Sequence, residues 1–207
     1  MGLELERLEV GPWPMNCYLI RCSTLGQVAI VDPGEDADRI LAAAGPQVCC
    51  ILLTHGHPDH VGALAAVRQA TQGPVGIHPA DAAAAGLDAD FPLLDGMEIE
   101  VGRERVQVLH LPGHTPGSVC LRLDGQAVVG DAIFPGGPGH TASPQALTQS
   151  LYSLGRTVFT WPADTVLYPG HGPSTTVGAE RQAFEQFVTS DRSPDLFGDV
   201  TWRQTAG

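Results

Sequence analysis

The sequence has 207 residues, which suits one domain, and its apolar share of 43% is enough for a hydrophobic core. Its 11 basic residues, all arginine, are outnumbered by 23 acidic residues, so the formal net charge is −12. A surface of that sign repels phosphate backbones and disfavours nucleic acid as a partner. The start MGLELERLEV does not resemble a signal peptide, and no long apolar run predicts a membrane span. We therefore expect a cytoplasmic protein without a membrane partner.

The strands and helices can be placed from the spacing of the apolar residues. Strands are predicted at Leu3–Val10, 16–21, 27–31, 48–53, 75–78, 118–123, Gln126–Gly130 and 165–168, and the alternation over 97–111 predicts two more around a turn at Gly102. Helices are predicted to end at Gly45 and to cover 60–71, Pro79–Ala85, 145–154 and 176–188. Strands mixed with helices in this order predict mixed sheets covered by helices, in a single domain over residues 1–207.

The five cysteines do not suggest a metal or disulfide framework. Their number is odd and none belongs to a CxxC pair. We expect them to be small buried apolar residues.

A dense group of metal-ligand side chains follows the apolar strand predicted over 48–53. In the stretch THGHPDH, His55, His57, Asp59 and His60 fall within six positions. Side chains two apart in extended backbone point to the same side, so His55 and His57 can meet one metal ion. Imidazole and carboxylate without thiolate suit zinc, iron or manganese.

Three further residues of the same chemistry follow other predicted strands. His114 lies in LHLPGHTPGS, Asp131 in AVVGDAIF and His171 in VLYPGHGPS. Functional groups collect where loops converge at strand ends over a rigid scaffold. Seven ligands at four strand ends therefore predict two metal ions with a shared aspartate.

These motifs resemble the metallo-β-lactamase superfamily, and DGMEIEVGRERVQVLHLPGHTPGS is similar to its glyoxalase II branch. The likeness runs from about Val10 to about Phe187. It implies an α/β fold, a four-layer αβ/βα sandwich of two mixed β-sheets flanked by helices. No separate C-terminal glutathione-binding helical domain is expected here, because the chain ends soon after the last predicted helix and contains no lysine.

The resemblance also implies a ligand set. His55, His57 and His114 correspond to the ligands of a first ion, and Asp59, His60 and His171 to those of a second, with Asp131 bridging both. It implies two divalent ions, most often Zn²⁺, with Fe or Mn as alternatives, and a bridging hydroxide that attacks a carbonyl carbon. Asp131 and Asp59 would be the catalytic residues, with Asp59 orienting the hydroxide as well as binding metal.

The function implied is hydrolysis of a thioester or an activated ester in a small-molecule substrate. A persulfide dioxygenase-like oxidoreductase with one iron, a lactonase and a non-catalytic metal-binding module are the alternatives. Homo-oligomerisation is left open. After Asp131 the chain reads FPGGPGHTAS where close relatives read GRTDF, so the substrate pocket is not predicted by the resemblance.

Four other residues receive minor roles. His78 is expected to lie at the surface or to cap a helix, and His110 to pack behind the ligands. His140 lies in the glycine-rich loop after Asp131 and is a candidate for substrate contact. Asp32, in VDPG, is expected to orient a ligand or a loop. The apolar residues of SPDLFGDVTW, 193–202, predict that the end of the chain folds back on the core or meets a partner.

Overall fold

The computed structural model describes residues 2–12 and 14–204. Its strands are β1 (Leu3–Val10), β2 (Met15–Cys22), β3 (Val28–Val31), β4 (Val48–Leu52), β5 (Val75–Ile77), β6 (Phe91–Pro92), β7 (Glu98–Val101), β8 (Glu104–His110), β9 (Val119–Leu123), β10 (Gln126–Gly130), β11 (Ile133–Phe134), β12 (Gly137–Pro138), β13 (Val166–Pro169) and β14 (Thr175–Thr176). Its helices are α1 (Ala37–Ala44), α2 (Pro58–Val61), α3 (Leu64–Thr71), α4 (Pro79–Ala85), α5 (Pro144–Arg156) and α6 (Val177–Thr189), with a 3₁₀ turn at Val158–Thr160.

Two six-stranded sheets form the centre of the molecule. The first has the order β1-β2-β3-β4-β5-β6 and is antiparallel as far as β3 and parallel beyond it. The second has the order β14-β13-β10-β9-β8-β7, and only its β10–β13 pair is parallel. Both sheets are therefore mixed, as the sequence predicts.

The layers follow from the alternation of side chains along each buried strand. In β2, Tyr18 and Ile20 belong to a core cluster that also contains Val108 and Leu121 of the second sheet. Their neighbour Leu19 faces the other way, in a cluster shared with residues of α1 and α3. A third cluster lies between the second sheet and helices α5 and α6. Three apolar layers between four layers of structure make the αβ/βα sandwich.

The helix predicted over 60–71 is interrupted, which is a correction to the sequence analysis. Helix α2 ends at Val61 and α3 begins at Leu64. At the break, a Cβ atom added to Gly62 would lie 2.3 Å from the carbonyl oxygen of Gly34, and the Ala63 N–H donates to Pro33 O over 2.9 Å. The Ala63 N–H thus bonds to the loop after β3 and not to a carbonyl of α2, and Gly62 lets that loop approach closely.

The other predicted elements are present, most with ends shifted by one or two residues, whereas β6, β11, β12 and β14 are additions. Each of these four strands has two residues, too few for a periodic pattern. In the part of the chain that the structure describes, no helix is both long and apolar enough to cross a bilayer.

Candidate metal centre

Four loops converge at the carboxyl ends of β4, β8, β10 and β13, and they bring the seven predicted residues together. Backbone hydrogen bonds join these loops, from Val119 N to Thr54 O over 2.8 Å and from Gly170 N to Gly130 O over 2.9 Å. The site therefore lies at the carboxyl ends of strands from both sheets. His55 and His60 are buried, whereas Asp59 is half-exposed and faces solvent.

Three histidines form a first cluster. His57 Nδ1 lies 3.1 Å from His55 Nε2 and 2.9 Å from His114 Nε2. The HxH spacing supplies two of these rings from the loop after β4, and the PGHT loop after β8 supplies the third. The nitrogens are close enough to bind one ion, since all three lie within 4.8 Å of one another.

Asp59, His60 and His171 form a second cluster. His171 Nε2 lies 3.0 Å from Asp59 Oδ2, and His60 Nε2 lies 4.0 Å from the same oxygen. Asp59 and His60 come from helix α2, which begins at Pro58, so the helical turn directs them away from His57.

Asp131 lies between the two clusters. Its Oδ1 is 3.4 Å from His60 Nε2, and its Oδ2 is 3.7 Å from His114 Nε2 and 3.8 Å from His171 Nε2. One carboxylate therefore approaches a histidine of the first cluster and both histidines of the second, which is where a shared ligand must be.

Four of the five histidines use their remote ring nitrogen for another contact. His60 Nδ1 lies 3.0 Å from Asp32 Oδ2, His114 Nδ1 lies 2.9 Å from His140 O, and His171 Nδ1 lies 3.0 Å from Pro14 O. Because these oxygens only accept, each of those nitrogens carries the proton, and a neutral ring then presents a lone pair at Nε2.

His55 follows the same pattern. Its Nδ1 lies 3.1 Å from Thr54 Oγ1, and that hydroxyl donates to Asp32 Oδ2 over 2.6 Å, which leaves it free to accept from His55. When the rings are neutral, as metal binding requires, the nitrogens that point into the site present lone pairs to one another and to carboxylate oxygens. Such an arrangement repels itself unless a cation lies within it.

The electrostatics of the buried groups agree with that need for positive charge. Burial lowers the pKa of His55 and of His114, so both rings are neutral. Burial also opposes protonation of His60, but the carboxylates of Asp131 and Asp32 outweigh it and raise the pKa of His60 to about 10. Burial would raise the pKa of Asp131, but His60, with His55 and His114, holds it well below its usual range.

Two buried atoms at this point lack hydrogen bonds. His60 Nε2 and Asp131 Oδ1 are shielded from solvent, and nothing among the described residues satisfies either of them. Buried polar atoms without partners are rare and costly. A metal ion would satisfy both, so the residues present fit the metal that the ligand chemistry suggests.

The remaining predicted residues lie around the cluster. Asp32 accepts from Thr54 N over 2.7 Å and contacts His60, which is the orienting role expected of it. His78 caps α4 by accepting from Ala80 N over 3.2 Å, and its ring stacks on His110 with centroids 4.3 Å apart. His110 Nε2 lies 2.9 Å from Pro116 O, so it supports the loop that carries His114.

His140 contacts the cluster through its backbone carbonyl. Its side chain is 57% exposed and lies 3.0 Å from Asp199, so a substrate contact by this ring stays a prediction. The role of the carbonyl in holding His114 was not predicted, because a backbone oxygen carries no signal in the sequence.

Segment 196–202 folds back on the core, one of the two outcomes expected for SPDLFGDVTW. Gly198 and Thr141 exchange two backbone hydrogen bonds of 3.0 and 3.2 Å. Buried Glu180 accepts from Gly136 N and from Trp202 Nε1, both over 2.9 Å. Residues 196–202 thus hold the loop that carries His140.

The sandwich and its cluster of histidine and aspartate side chains define an α/β metal-binding protein. A model of the metallo-beta-lactamase superfamily matches residues 10–178, and the chain belongs to that superfamily. The hydroxyacylglutathione hydrolase GloC of Haemophilus influenzae is 31% identical over 209 residues, which cover 87% of this chain and 96% of that protein. This relative supports the glyoxalase II-like branch.

Two solved structures are similar to the whole fold. ETHE1 from Myxococcus xanthus superposes with a TM-score of 0.80 at 28% identity, covering 91% of this chain and 86% of that one. TTHA1623 in a di-iron-bound form has a TM-score of 0.70 at 37% identity, covering 86% and 97%. The predicted fold and family are therefore both confirmed.

Proposed function

We propose that this protein is a dinuclear metal-dependent hydrolase that cleaves a thioester or a similarly activated ester. The observation that carries the proposal is the pair of ligand clusters on either side of Asp131, with inward lone pairs and two buried atoms without hydrogen bonds. His55, His57 and His114 would hold one ion and Asp59, His60 and His171 the other, with Asp131 shared.

Two divalent ions bound there would lower the pKa of a water molecule towards neutrality and polarise a substrate carbonyl. The chain's own part is to hold the ligands and to leave one side of the site open. Asp59 has a half-exposed carboxylate whose Oδ2 lies 3.0 Å from His171 Nε2. It is therefore placed to orient an attacking water from the solvent side and to accept its proton.

The exposed side of the cluster is also where the substrate would enter. His57 and Asp59 lie on that side, whereas His55 and His60 lie beneath them. Phe134, whose ring centroid lies 6.4 Å from that of His171, supplies an apolar wall beside the second cluster. An open mouth with an apolar side suits a small acyl group and a leaving group that extends into solvent.

The test begins with elemental analysis of protein purified without added metal or chelator. About two zinc ions per chain support the proposal and justify a screen of thioesters, activated esters, lactones and β-lactams. Chelated protein should lose its activity and regain it with zinc. A protein that holds two zinc ions but hydrolyses none of these substrate classes would refute the hydrolase assignment.

A mononuclear-iron persulfide dioxygenase-like activity is the second candidate, favoured by the similarity to ETHE1 from Myxococcus xanthus. About one iron per chain, with oxygen uptake in the presence of glutathione persulfide, would favour the dioxygenase-like activity over the hydrolase. The completeness of the second cluster favours the dinuclear hydrolase, because a single ion at the first cluster leaves His60 Nε2 without a partner.

A further inference from the structure

We propose that Asp81 is a positioning residue that sets the geometry of the first cluster by tying two ligand-bearing loops together. This inference rests on the proposed metal ligation and adds a residue that touches no ligand side chain. Asp81 lies in the first turn of α4, where His78 caps the helix and Pro79 begins it. Although it is a carboxylate, it is only 3% exposed.

The Asp81 carboxylate accepts three hydrogen bonds. Its Oδ2 accepts from Gly56 N over 3.1 Å and from Thr115 Oγ1 over 2.7 Å, and its Oδ1 accepts from Gly117 N over 2.7 Å. Gly56 lies between His55 and His57, and Thr115 follows His114. All three histidines of the first cluster therefore sit beside a group that Asp81 holds.

The packing around the carboxylate leaves little freedom. A Cβ atom added to Gly117 would lie 2.5 Å from Asp81 Oδ1 and 2.8 Å from Asp81 N, so only glycine allows the loop to approach this closely. Thr115 and Ser118 reinforce the arrangement, with their hydroxyl oxygens 2.7 Å apart. A displacement of Asp81 would therefore move the PGHT loop relative to the HxH loop.

The charge of Asp81 argues for a role beyond packing. None of its three donors is charged, so among the residues that the structure describes this buried carboxylate has no salt-bridge partner. Burial of a carboxylate is costly unless several donors are directed at it. A single carboxylate that accepts hydrogen bonds from two separate loops fixes the position of those loops relative to each other.

The role is confined to one cluster, which makes it testable. The bonds of Asp81 go to the loops of His55, His57 and His114, whereas Asp59, His60 and His171 lie on α2 and the loop after β13. A residue that merely stabilised the fold would affect both clusters equally. A positioning residue should weaken binding at the first cluster and leave the second unchanged.

The experiment compares Asp81→Asn in two backgrounds. His171→Ala leaves the first cluster intact, and His114→Ala leaves the second. Zinc dissociation constants are measured by competition with a chromophoric chelator, and the visible spectrum of the cobalt form reports ligand geometry. We expect Asp81→Asn to weaken zinc binding about 10- to 100-fold in the His171→Ala background, with an altered cobalt spectrum. In the His114→Ala background, Asp81→Asn should change the zinc dissociation constant by less than about twofold.

Asp90→Asn is the matched control, because Asp90 also accepts a backbone hydrogen bond, from Val75 N over 2.7 Å, but contacts neither ligand loop. It should leave both constants unchanged. If Asp81→Asn fails to fold, Thr115→Val removes the hydroxyl contacts to Asp81 and Ser118 and should weaken the first site alone, by several-fold. Equal losses in both backgrounds, or no loss, would overturn the inference.

Hydrogen exchange of the metal-free protein separates this inference from the metal proposal. Asp81→Asn should speed exchange at residues 54–57 and 112–118 but not at 166–176. A wild-type protein that binds no metal would refute the ligand assignment even if this pattern appeared. Unchanged exchange in a protein that binds two ions would refute only the role of Asp81.

Discussion

Replacing Asp131 with alanine should cost the protein both metal ions, because its carboxylate faces inward nitrogens of both clusters. Its oxygens lie 3.4 to 3.8 Å from inward nitrogens of His60, His114 and His171. A positive charge about 4 Å from a carboxylate gains about 4 kcal/mol at an effective dielectric constant of about 20. That energy corresponds to about a thousandfold in affinity. Each site should therefore weaken by at least about that factor, since a divalent ion carries twice the charge.

The assay is zinc content after gel filtration, followed by competition with a chelator of known affinity. His57→Ala is the comparison, because His57 contacts the other two histidines of the first cluster and its loss should release one ion. Asp131→Ala should release both and abolish hydrolysis. Retention of two full equivalents by Asp131→Ala would refute the bridging assignment. Loss of one ion only would place Asp131 in a single site.

Trp202→Ala should lower the free energy of unfolding by about 3–5 kcal/mol in urea titrations, because its buried ring packs edge-on against Phe184. Trp202→Phe removes mainly the hydrogen bond to Glu180 and should lower the free energy of unfolding by about 1–3 kcal/mol. If neither substitution changed the free energy of unfolding, the packed position of Trp202 would be contradicted. Between pH 6.5 and 8.5 the metal-free protein should lose about 1.4 kcal/mol of stability per pH unit, because His60 keeps its proton up to a pKa of about 10 in the folded state but releases it near 6.5 when unfolded. The stability of the zinc-loaded protein should not fall with pH in this way. If the stability of the metal-free protein were independent of pH over this range, His60 would not be protonated in its folded state. Asp32→Asn should flatten the metal-free profile, since it removes one of the two carboxylates that raise this pKa.

Much of the fold was predictable because its signals are local. Strand β3 is buried throughout and strands β2 and β4 over most of their length, so all three appear as largely apolar runs, and β1 matches its predicted limits, Leu3–Val10. Glycine and proline mark where elements end. The break between α2 and α3 was not predictable, because the Ala63 N–H donates there to the Pro33 carbonyl, which it meets only in the folded chain.

The sequence by itself determined which residues are ligand candidates, since His55, His57, Asp59 and His60 are adjacent in the chain and His114, Asp131 and His171 each follow a strand. Strand ends are recognisable from short-range patterns, and the chemistry of imidazole and carboxylate needs no context. The family resemblance added the grouping into two sets.

Only the tertiary structure decided which groups hold those ligands in place. Asp81 is 34 residues from Thr115, the Pro14 carbonyl is 157 from His171, and the His140 carbonyl is 26 from His114. Two of these acceptors are backbone oxygens, identical in every residue, and the third is one aspartate among many. Such contacts arise because loops from distant parts of the chain converge at the strand ends. A sequence pattern gives no information on the distance between segments that meet only after folding.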